Sequence, residues 1–256
     1  MNEQLEKDFL SKIDSLRDKT NVLHFSTGAD AVASYLRLRE FDIKPILCYH
    51  YFGIKDLFMV KNYIDWFEKK FNENVYQYPS TLFSEMFDRA LFQYPIKARE
   101  RFRNRIGYNL AGHTKEKFDK FLQDTIGGDV VFHFGLKYTD GLHRYRHLMQ
   151  HGCSFGNKFY PVAPFQVKDI QAILEKNDCL LPIDYRLYGM SFESPRAWNI
   201  NLIKEHCPET YRQICDMFPL IGAEGLRDKY TKLSKHHKQR ITQYGNYAMP
   251  KEGLTW

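Results

Sequence analysis

The sequence predicts an α/β fold, with a parallel-cored sheet that has helices on both faces and a helical C-terminal region. Three observations lead to this prediction. Residues 1–80 alternate between short apolar runs and amphipathic segments in the order β-α-β-α-β, which implies right-handed crossovers between parallel strands. A further apolar run at residues 129–135 resumes the sheet, and segments of helical periodicity fill residues 195–235.

Each element follows from the spacing of its apolar residues. Intervals of three and four predict helices, as with Leu5, Phe9 and Ile13, and short continuous apolar runs predict strands that are covered on both faces. The predicted strands are 21–25, 44–52, 74–79 and 129–135. The predicted helices are 3–18, 29–40, 55–71, most of 80–125, 163–177 (entered through Pro164) and 195–235. The polar, turn-rich tail that begins at Lys235 is expected either to be loosely held or to fold over a site.

Composition limits the classes of protein that fit. The 256 residues, 43% of them hydrophobic, suit one α/β domain or one domain with a helical appendage. A net charge of +6 fits a protein that handles anions, such as nucleotides, sulfate esters or nucleic acid, without by itself indicating DNA binding.

The five cysteines are odd in number and none stands in a CxxC pair, which argues against a zinc ribbon, an iron–sulfur cluster and a secreted disulfide framework. The N-terminal "MNEQLEKDFLSK" has no apolar signal core, and no apolar run approaches membrane-spanning length. We therefore expect a cytoplasmic protein with no membrane partner.

The stretch "NVLHFSTGAD" is the first candidate for a binding site. A strand that breaks into a small-residue turn and restarts as a helix presents backbone amides and the positive end of the helix dipole to an anion. Gly28 can take a positive φ and lets an anion approach the backbone, and Asp30 could cap the helix or position a metal–phosphate group. Such joints are common and usually empty, so the turn alone leaves the question open.

A resemblance to a known family extends this hypothesis. "FSTGADAVASYLRL" resembles the pyrophosphate-binding loop, SGGKDS, of the adenine nucleotide α-hydrolase superfamily, and most closely its phosphoadenosine phosphosulfate (PAPS) reductase branch. "FGLKYTDGLHRYR" is similar to the G-x-R and the following arginines that end a later strand in the family. "YPVAPFQVKDIQAIL" is similar to the family's proline-led segment before a helix. "LLPIDYRLYGMSFES" is similar to the "lp.dYrlyG" stretch that comes next in the family. The match runs, with gaps, from about residue 20 to residue 230.

The chain also departs from the family pattern. Thr27 replaces one glycine of the loop, Ala29 its lysine and Ala31 its last serine. Either another cation substitutes for that lysine or ATP cleavage is weak or absent. In the reductases the nucleophile lies in a C-terminal ECGLH, whereas this chain has Glu252 in "KEGLTW", and a carboxylate cannot replace a thiolate.

The resemblance implies a nucleotide-binding enzyme that acts on ATP or another adenine nucleotide, PAPS included. It implies α-phosphate chemistry or the transfer of sulfur or another group, with Mg²⁺ when ATP is used and a nucleic acid as one candidate acceptor. Residues 1–190 would form the nucleotide-binding domain, and residues 191–256 a helical region and polar tail packed on it. A homodimer is left open.

The implied site residues come from the matching motifs. The catalytic candidates are Asp30, Lys137 and Arg144, and no metal ligand is assigned. The candidates for binding the nucleotide or its phosphates are Ser26, Thr27, Gly28, Ala29, Asp30, His50, Tyr51, Gly135, Lys137, Arg144 and Arg146.

Alternatives stay open at this point. One is a sulfonucleotide reductase whose nucleophile has moved, for example to Cys153, and another is a catalytically inactive nucleotide-binding or regulatory protein. The spacing of His143, His147 and His151 suits a metal site, an anion-binding helix with its neighbouring arginines, or a merely solvated helix. The basic runs "ARERFRNRIGYN" and "KHHKQR" suit either a nucleic acid backbone or helix exteriors.

Overall fold

A computed structural model of the chain describes residues 1–80, 86, 89, 91–93, 115–227 and 233–251. Two features named in the sequence analysis lie outside the described residues: the basic segment "ARERFRNRIGYN" and Glu252. No helix of the described part of the chain is long and apolar enough to cross a membrane.

Six strands form one sheet, in the order β3-β2-β1-β4-β6-β5. Neighbouring strands are parallel except β5 and β6, which form a short antiparallel hairpin. The parallel-cored α/β sheet is confirmed, whereas the hairpin was not predicted because strands of two residues carry no readable pattern. The strands are β1 Thr20–His24, β2 Ile46–Tyr51, β3 Val75–Pro79, β4 Val130–His133, β5 Ser154–Phe155 and β6 Lys158–Phe159.

Within the described ranges, eleven α-helices accompany the sheet. The helix predicted over residues 163–177 starts only at Val167, because the side chain of Asp169 accepts a hydrogen bond from the Gln166 amide (2.8 Å) and so fixes the helix start there. The helices are α1 Glu3–Lys12, α2 Ala29–Glu40, α3 Phe58–Phe71, α4 Lys115–Ile126, α5 Leu142–His151, α6 Val167–Lys176, α7 Asp184–Leu187, α8 Ala197–His206, α9 Pro208–Met217, α10 Gly222–Arg227 and α11 Lys235–Tyr244, and short 3₁₀ turns cover Ile13–Leu16 and Gly245–Tyr247.

Both faces of the sheet are covered, which explains why its strands are almost continuously apolar. On one face, Val22 of β1 and Phe132 of β4 belong to a buried cluster with Phe118 of α4. On the other face, Leu23 of β1 lies in the main core with residues of α2, α3 and α6. The C-terminal helices α8, α9 and α11 contribute to this same core, so the predicted helical C-terminal region is confirmed.

The sheet order places a crevice at a defined point. From β1 the chain proceeds to β2 and β3 on one side, whereas β4 pairs with β1 on the other side. In open α/β sheets, ligands bind beyond the carboxyl ends of the strands at such a switch point. The segments that follow His24 and His133 are therefore brought together.

Candidate functional site

A cavity of about 600 Å³ opens at this switch point. The turn after β1 contributes Ser26, Gly28 and Asp30 to its wall, and the segment after β4 contributes Gly135 and Lys137. The start of α5, the stretch from Tyr185 to Glu193 and one face of α11 complete the wall. A space of this size falls within the range of small-molecule and cofactor sites.

In the turn after β1, the left-handed conformation falls on the residue before Gly28 and not on Gly28 itself. Gly28 has a φ of −76°, whereas Thr27 has a φ of 58° and carries the left-handed conformation. A β-branched residue is uncommon there and strained. Space around Gly28 is tight, because a Cβ on it would lie 3.2 Å from the Ser26 hydroxyl and 3.3 Å from that of Tyr185, and these side chains would have to shift by a few tenths of an ångström.

The backbone amides of the turn are only partly available to a ligand. The Ala29 N–H donates to the Tyr185 hydroxyl at 2.8 Å, so this amide is already satisfied. Among the described residues, the amides of Ser26, Thr27 and Gly28 have no hydrogen-bond partner. The turn therefore keeps free donors beside the N-terminus of α2, where the helix dipole favours a negative charge.

Gly135 permits the close approach between the two segments that form the cavity. A Cβ on Gly135 would lie 2.7 Å from the Asp30 carbonyl carbon and 2.8 Å from the Ala31 amide nitrogen. Only a residue without a side chain allows the end of β4 to pack directly on the first turn of α2. This contact holds Asp30 close to Lys137, which stands two residues after Gly135.

Lys137 lies at the centre of a group of ion pairs. Its ammonium, 3% exposed, is 2.5 Å from an Asp30 oxygen and 2.9 Å from an Asp140 oxygen. Arg144 also pairs with Asp140, at 3.0 Å, and Arg240 approaches Asp30 at 3.7 Å. Burial raises the pKa of Asp140, but the Lys137 charge and hydrogen bonds outweigh burial and leave this pKa below its ordinary value. Lys137 is thus held by two carboxylates.

A second cavity, of about 240 Å³, adjoins the first and shares His24, Ser26 and Glu193 with it. His50 lines it, and the imidazole of His24 is stacked between His50 (ring centroids 5.4 Å apart) and Phe134 (4.4 Å). His24 Nε2 is also 3.2 Å from an Asp119 oxygen. Both faces of the His24 ring are thus covered, and the second cavity is bordered by aromatic rings, among them His50 and Phe192.

The structure brings most of the predicted site residues together. Tyr51 instead lies in the core beside Leu57 and Val60, and Arg146 is exposed on α5 and contributes to neither cavity wall. The predicted residues that line the main cavity are Ser26, Gly28, Asp30, Gly135, Lys137 and Arg144; His50 lines the second cavity, and Thr27 and Ala29 are buried in the turn.

No protein-family model matches the chain, and no curated protein matches it. The geometry and chemistry of the two cavities therefore carry the argument for function.

The thiols and imidazoles named from the sequence lie away from the main cavity. Cys153 is 0% exposed, its sulfur is 3.2 Å from the Leu5 carbonyl oxygen, and burial raises its pKa to about 12. His147 and His151 lie 5.0 Å apart between ring centroids, and His147 Nε2 is 3.2 Å from the Tyr160 hydroxyl. Within the residues that the structure describes, no three His, Cys, Asp or Glu side chains are grouped to hold a metal ion.

Of the two outcomes expected for the polar tail, the structure shows the second. The segment from Lys235 folds over the site and is not loosely held, and it does so as the helix α11, although this stretch was described as turn-rich. Asp140 and Tyr185 were missed, although Asp140 stands three residues after Lys137. The α11 residues that line the cavity recur at helical spacing, which was the available signal: His236, Gln239, Arg240, Gln243 and Tyr244.

Proposed function

We propose that the two adjoining cavities bind an adenine nucleotide and that the protein is a nucleotide-dependent enzyme of the PAPS reductase-like type. One observation carries the proposal: the cavity at the switch point joins free turn amides, the N-terminus of α2 and the cations Lys137 and Arg144. Amides at a helix N-terminus together with basic side chains are what phosphate binding requires.

The conformation of the turn supports the family resemblance. Thr27 stands where the family loop has a glycine, and its φ of 58° is a conformation that glycine adopts without strain. The two resembling motifs also contact each other, because Gly135 packs directly on the backbone of Asp30. A chance similarity of two short motifs would not require this contact.

The polarity of the two cavities suggests how the nucleotide is oriented. The second cavity is lined by aromatic rings, including those of His50 and Phe192, and such a lining suits an adenine base. The main cavity offers the turn amides, Lys137 and Arg144, which suit phosphates. Ser26 lines both spaces, so the sugar would lie near it.

The acidic residues of the site fit a magnesium ion that arrives with the phosphates. Asp30 and Asp140 both line the main cavity, and the Oδ1 atom of Asp30 is buried without a hydrogen-bond partner in the described structure. Mg²⁺ is commonly bound through one or two carboxylates together with substrate phosphates, so these two residues would hold it. When bound, it would neutralise charge on the phosphates.

The proposed chemistry places the cations where charge develops. In adenylyl transfer, an acceptor atom forms a bond to the α-phosphorus while the bond to the pyrophosphate oxygen breaks, and the leaving group takes the electron pair. Lys137 and Arg144 would stabilise the developing charge. Because Ala29 replaces the lysine of the family loop, this stabilisation depends on them.

Calorimetric titration with ATP, AMP and PAPS tests this function. We expect at least one of the three to bind, and Arg144→Gln to weaken that binding by about ten- to a hundredfold, because it removes a charge-assisted hydrogen bond worth about 1.5–3 kcal/mol. Arg212→Gln is the matched control, since Arg212 also pairs with a carboxylate on a helix surface but does not line a cavity. Absence of binding by all three nucleotides would overturn the proposal.

Product analysis separates the remaining alternatives. Release of sulfite from PAPS that is lost in Cys153→Ser would indicate a reductase, although the buried, protonated thiol of Cys153 argues against it. Binding without turnover under any condition would indicate an inactive binding protein. The neutralised Lys137 and the missing loop lysine are the features that favour this second alternative.

The surface beside the cavity supports a nucleic acid strand as the acceptor. Residues Leu142 to Arg146, the first half of α5, are all exposed, with Leu142 at 64% and Tyr145 at 42%. Arg144 and Arg146 stand on either side of Tyr145 in this segment. Arginines beside exposed apolar and aromatic side chains are typical of surfaces that hold phosphates and stack bases.

Fluorescence anisotropy with a single-stranded oligonucleotide tests this surface. We expect Arg146→Glu to weaken binding several-fold at low salt, and the difference from wild type to shrink as salt rises, because phosphate contacts are screened. Lys7→Glu makes the same change of charge on the exposed face of α1 and serves as the control. Equal weakening by both substitutions would mean that only net charge matters.

A further inference from the structure

The helix α11 presents one continuous face to the main cavity. His236, Gln239 and Arg240, followed by Gln243 and Tyr244, line the wall at intervals of three and four residues. The helix starts at a fixed point, because the Ser234 side chain accepts a hydrogen bond from the His237 amide. The polar face is thus directed at the cavity along the whole length of the helix.

The helix is held in place as a wall. Gly189 has a φ of 81°, and a Cβ on it would lie 2.6 Å from the His237 carbonyl oxygen, so the backbones are in direct contact. Beyond the helix, Arg186 donates to the Ala248 carbonyl at 2.7 Å, and the Met249 amide donates to the Leu181 carbonyl at 2.9 Å. Side chains on α11 therefore occupy defined positions at the cavity.

Tyr244 carries a hydroxyl that lacks a partner. The side chain is 1% exposed, its ring packs edge-on against Tyr185 at 5.7 Å, and within the described residues its hydroxyl makes no hydrogen bond. Burial, followed by the charge of Asp30, raises the pKa of this phenol, so it stays protonated and can donate. A buried hydroxyl without a partner is destabilising, and a ligand that accepts its hydrogen bond at the cavity wall would remove that cost.

Arg240, one turn before Tyr244, is a half-buried cation of the cavity wall that is only weakly neutralised. Its guanidinium makes one long ion pair, 3.7 Å to Asp30, and the described residues give it no hydrogen bond. Lys137, by contrast, is held by two carboxylates at 2.5 and 2.9 Å. The side chain of Arg240 is only 22% exposed, so its donors lie in a partly desolvated place where charge-assisted hydrogen bonds are strong.

We propose that Arg240 and Tyr244 form a second anion-binding subsite, which binds the terminal phosphate or sulfate group of the nucleotide. The inference rests on the proposed function, because α11 lines the main cavity but not the cavity assigned to the base. A planar guanidinium binds two oxygens of a tetrahedral oxyanion, and the phenol donates to a third. These two residues are thus specificity-determining: they distinguish nucleotides by what lies beyond the first phosphate.

Titration of wild type, Tyr244→Phe and Arg240→Gln with adenosine, AMP, ATP and PAPS tests the subsite. We expect Tyr244→Phe to weaken binding of ATP or PAPS about tenfold and to leave adenosine within about twofold of wild type. Because the hydroxyl has no partner in the free protein, Tyr244→Phe is expected to keep or raise the melting temperature. Tyr247→Phe, in the next turn and outside both cavity walls, is the control.

The outcomes separate this inference from the proposed function. Suppose that wild type binds nucleotides and that both variants bind ATP and PAPS as tightly as wild type does. The subsite is then overturned while the proposed function stands. The same conclusion follows if the variants lose affinity for adenosine as much as for ATP and PAPS. If wild type binds no nucleotide, the proposed function fails, and inorganic pyrophosphate and sulfate become the probes. Weaker binding of either anion by both variants would then support the subsite, and no binding by wild type would overturn it.

Discussion

Replacing Lys137 by methionine is expected to lower the free energy of unfolding by about 3–5 kcal/mol at pH 7. The substitution keeps most of the volume but removes the charge between two carboxylates that are only 16% and 14% exposed. Asp30 and Asp140 would then remain largely buried as carboxylates without the cation that pairs with both, and this destabilises the folded state. Urea unfolding measures the effect, as a lower midpoint with an unchanged slope.

The pH dependence gives this prediction a second readout. In wild type the pKa of Asp140 lies below its ordinary value, so its stabilising effect is present above the unfolded-state pKa of about 3.9 and is lost as pH falls through the lower folded-state value. Without Lys137, burial raises the pKa of Asp140. The stability of the variant then falls as pH rises through this raised pKa, so its deficit shrinks as pH falls from 7 towards 4.

A matched substitution separates this effect from the loss of any lysine. Lys19 pairs with Asp129 at 3.0 Å, but both side chains are exposed to solvent, at 34% and 69%. Lys19→Met is therefore expected to cost less than about 1 kcal/mol, since exposed ion pairs are screened. A deficit for Lys137→Met no larger than that of Lys19→Met, or one that does not change with pH, would contradict the prediction.

The central sheet was predictable because its strands are buried on both faces. The short, continuous apolar runs around Val22, Cys48 and Val131 predict strands that are covered on both faces. Because these runs alternate with amphipathic helices, the strands are also predicted to pair in parallel, as they do. The hairpin of β5 and β6 has two residues per strand, so no period exists to be recognised. Its position depends on pairing with β4, a contact that is distant in sequence.

The extent of helix α11 was not predicted, although a tail folded over a site and a helix exterior at "KHHKQR" were both among the expectations. Hydrophobic periodicity detects a helix that packs an apolar face on a core, but this helix presents His236, Arg240 and other polar side chains to a cavity. The residues that recur at helical spacing in α11 are mostly polar, so the sequence of this segment resembles that of an exposed, irregular tail. The cavity wall that hydrophobic periodicity did not reveal is therefore the one whose polar side chains face the cavity.

Within the site, backbone conformation was harder to predict than position. The switch point follows from the order of elements, so Asp30 and Lys137 could be placed together. Gly28 was named as able to take a positive φ because glycine adopts that conformation freely, but its φ is −76°. The chain instead strains Thr27 and uses Gly28 to leave room for the hydroxyls of Ser26 and Tyr185.

Replacing Gly135 by alanine is expected to destabilise the protein by about 1–3 kcal/mol and to weaken nucleotide binding more than that loss of stability explains. The added methyl would lie 2.7 Å from the Asp30 carbonyl carbon and 2.8 Å from the Ala31 nitrogen, and both are backbone atoms that cannot rotate away. The strain can be relieved only if the first turn of α2 moves from the end of β4. That movement would lengthen the 2.5 Å contact between Lys137 and Asp30 and shift the turn amides.

Gly222→Ala is the matched control for this substitution. Gly222 is the first residue of α10, and the nearest atom to an added methyl, the Tyr211 hydroxyl, lies 3.9 Å away, an ordinary contact. Urea unfolding and nucleotide titration of both variants give the comparison, and the control is expected to match wild type in both. If Gly135→Ala binds nucleotide like wild type, the contact between β4 and α2 does not set the geometry of the anion site. The proposed function would then lose the packing argument that joins its two motifs.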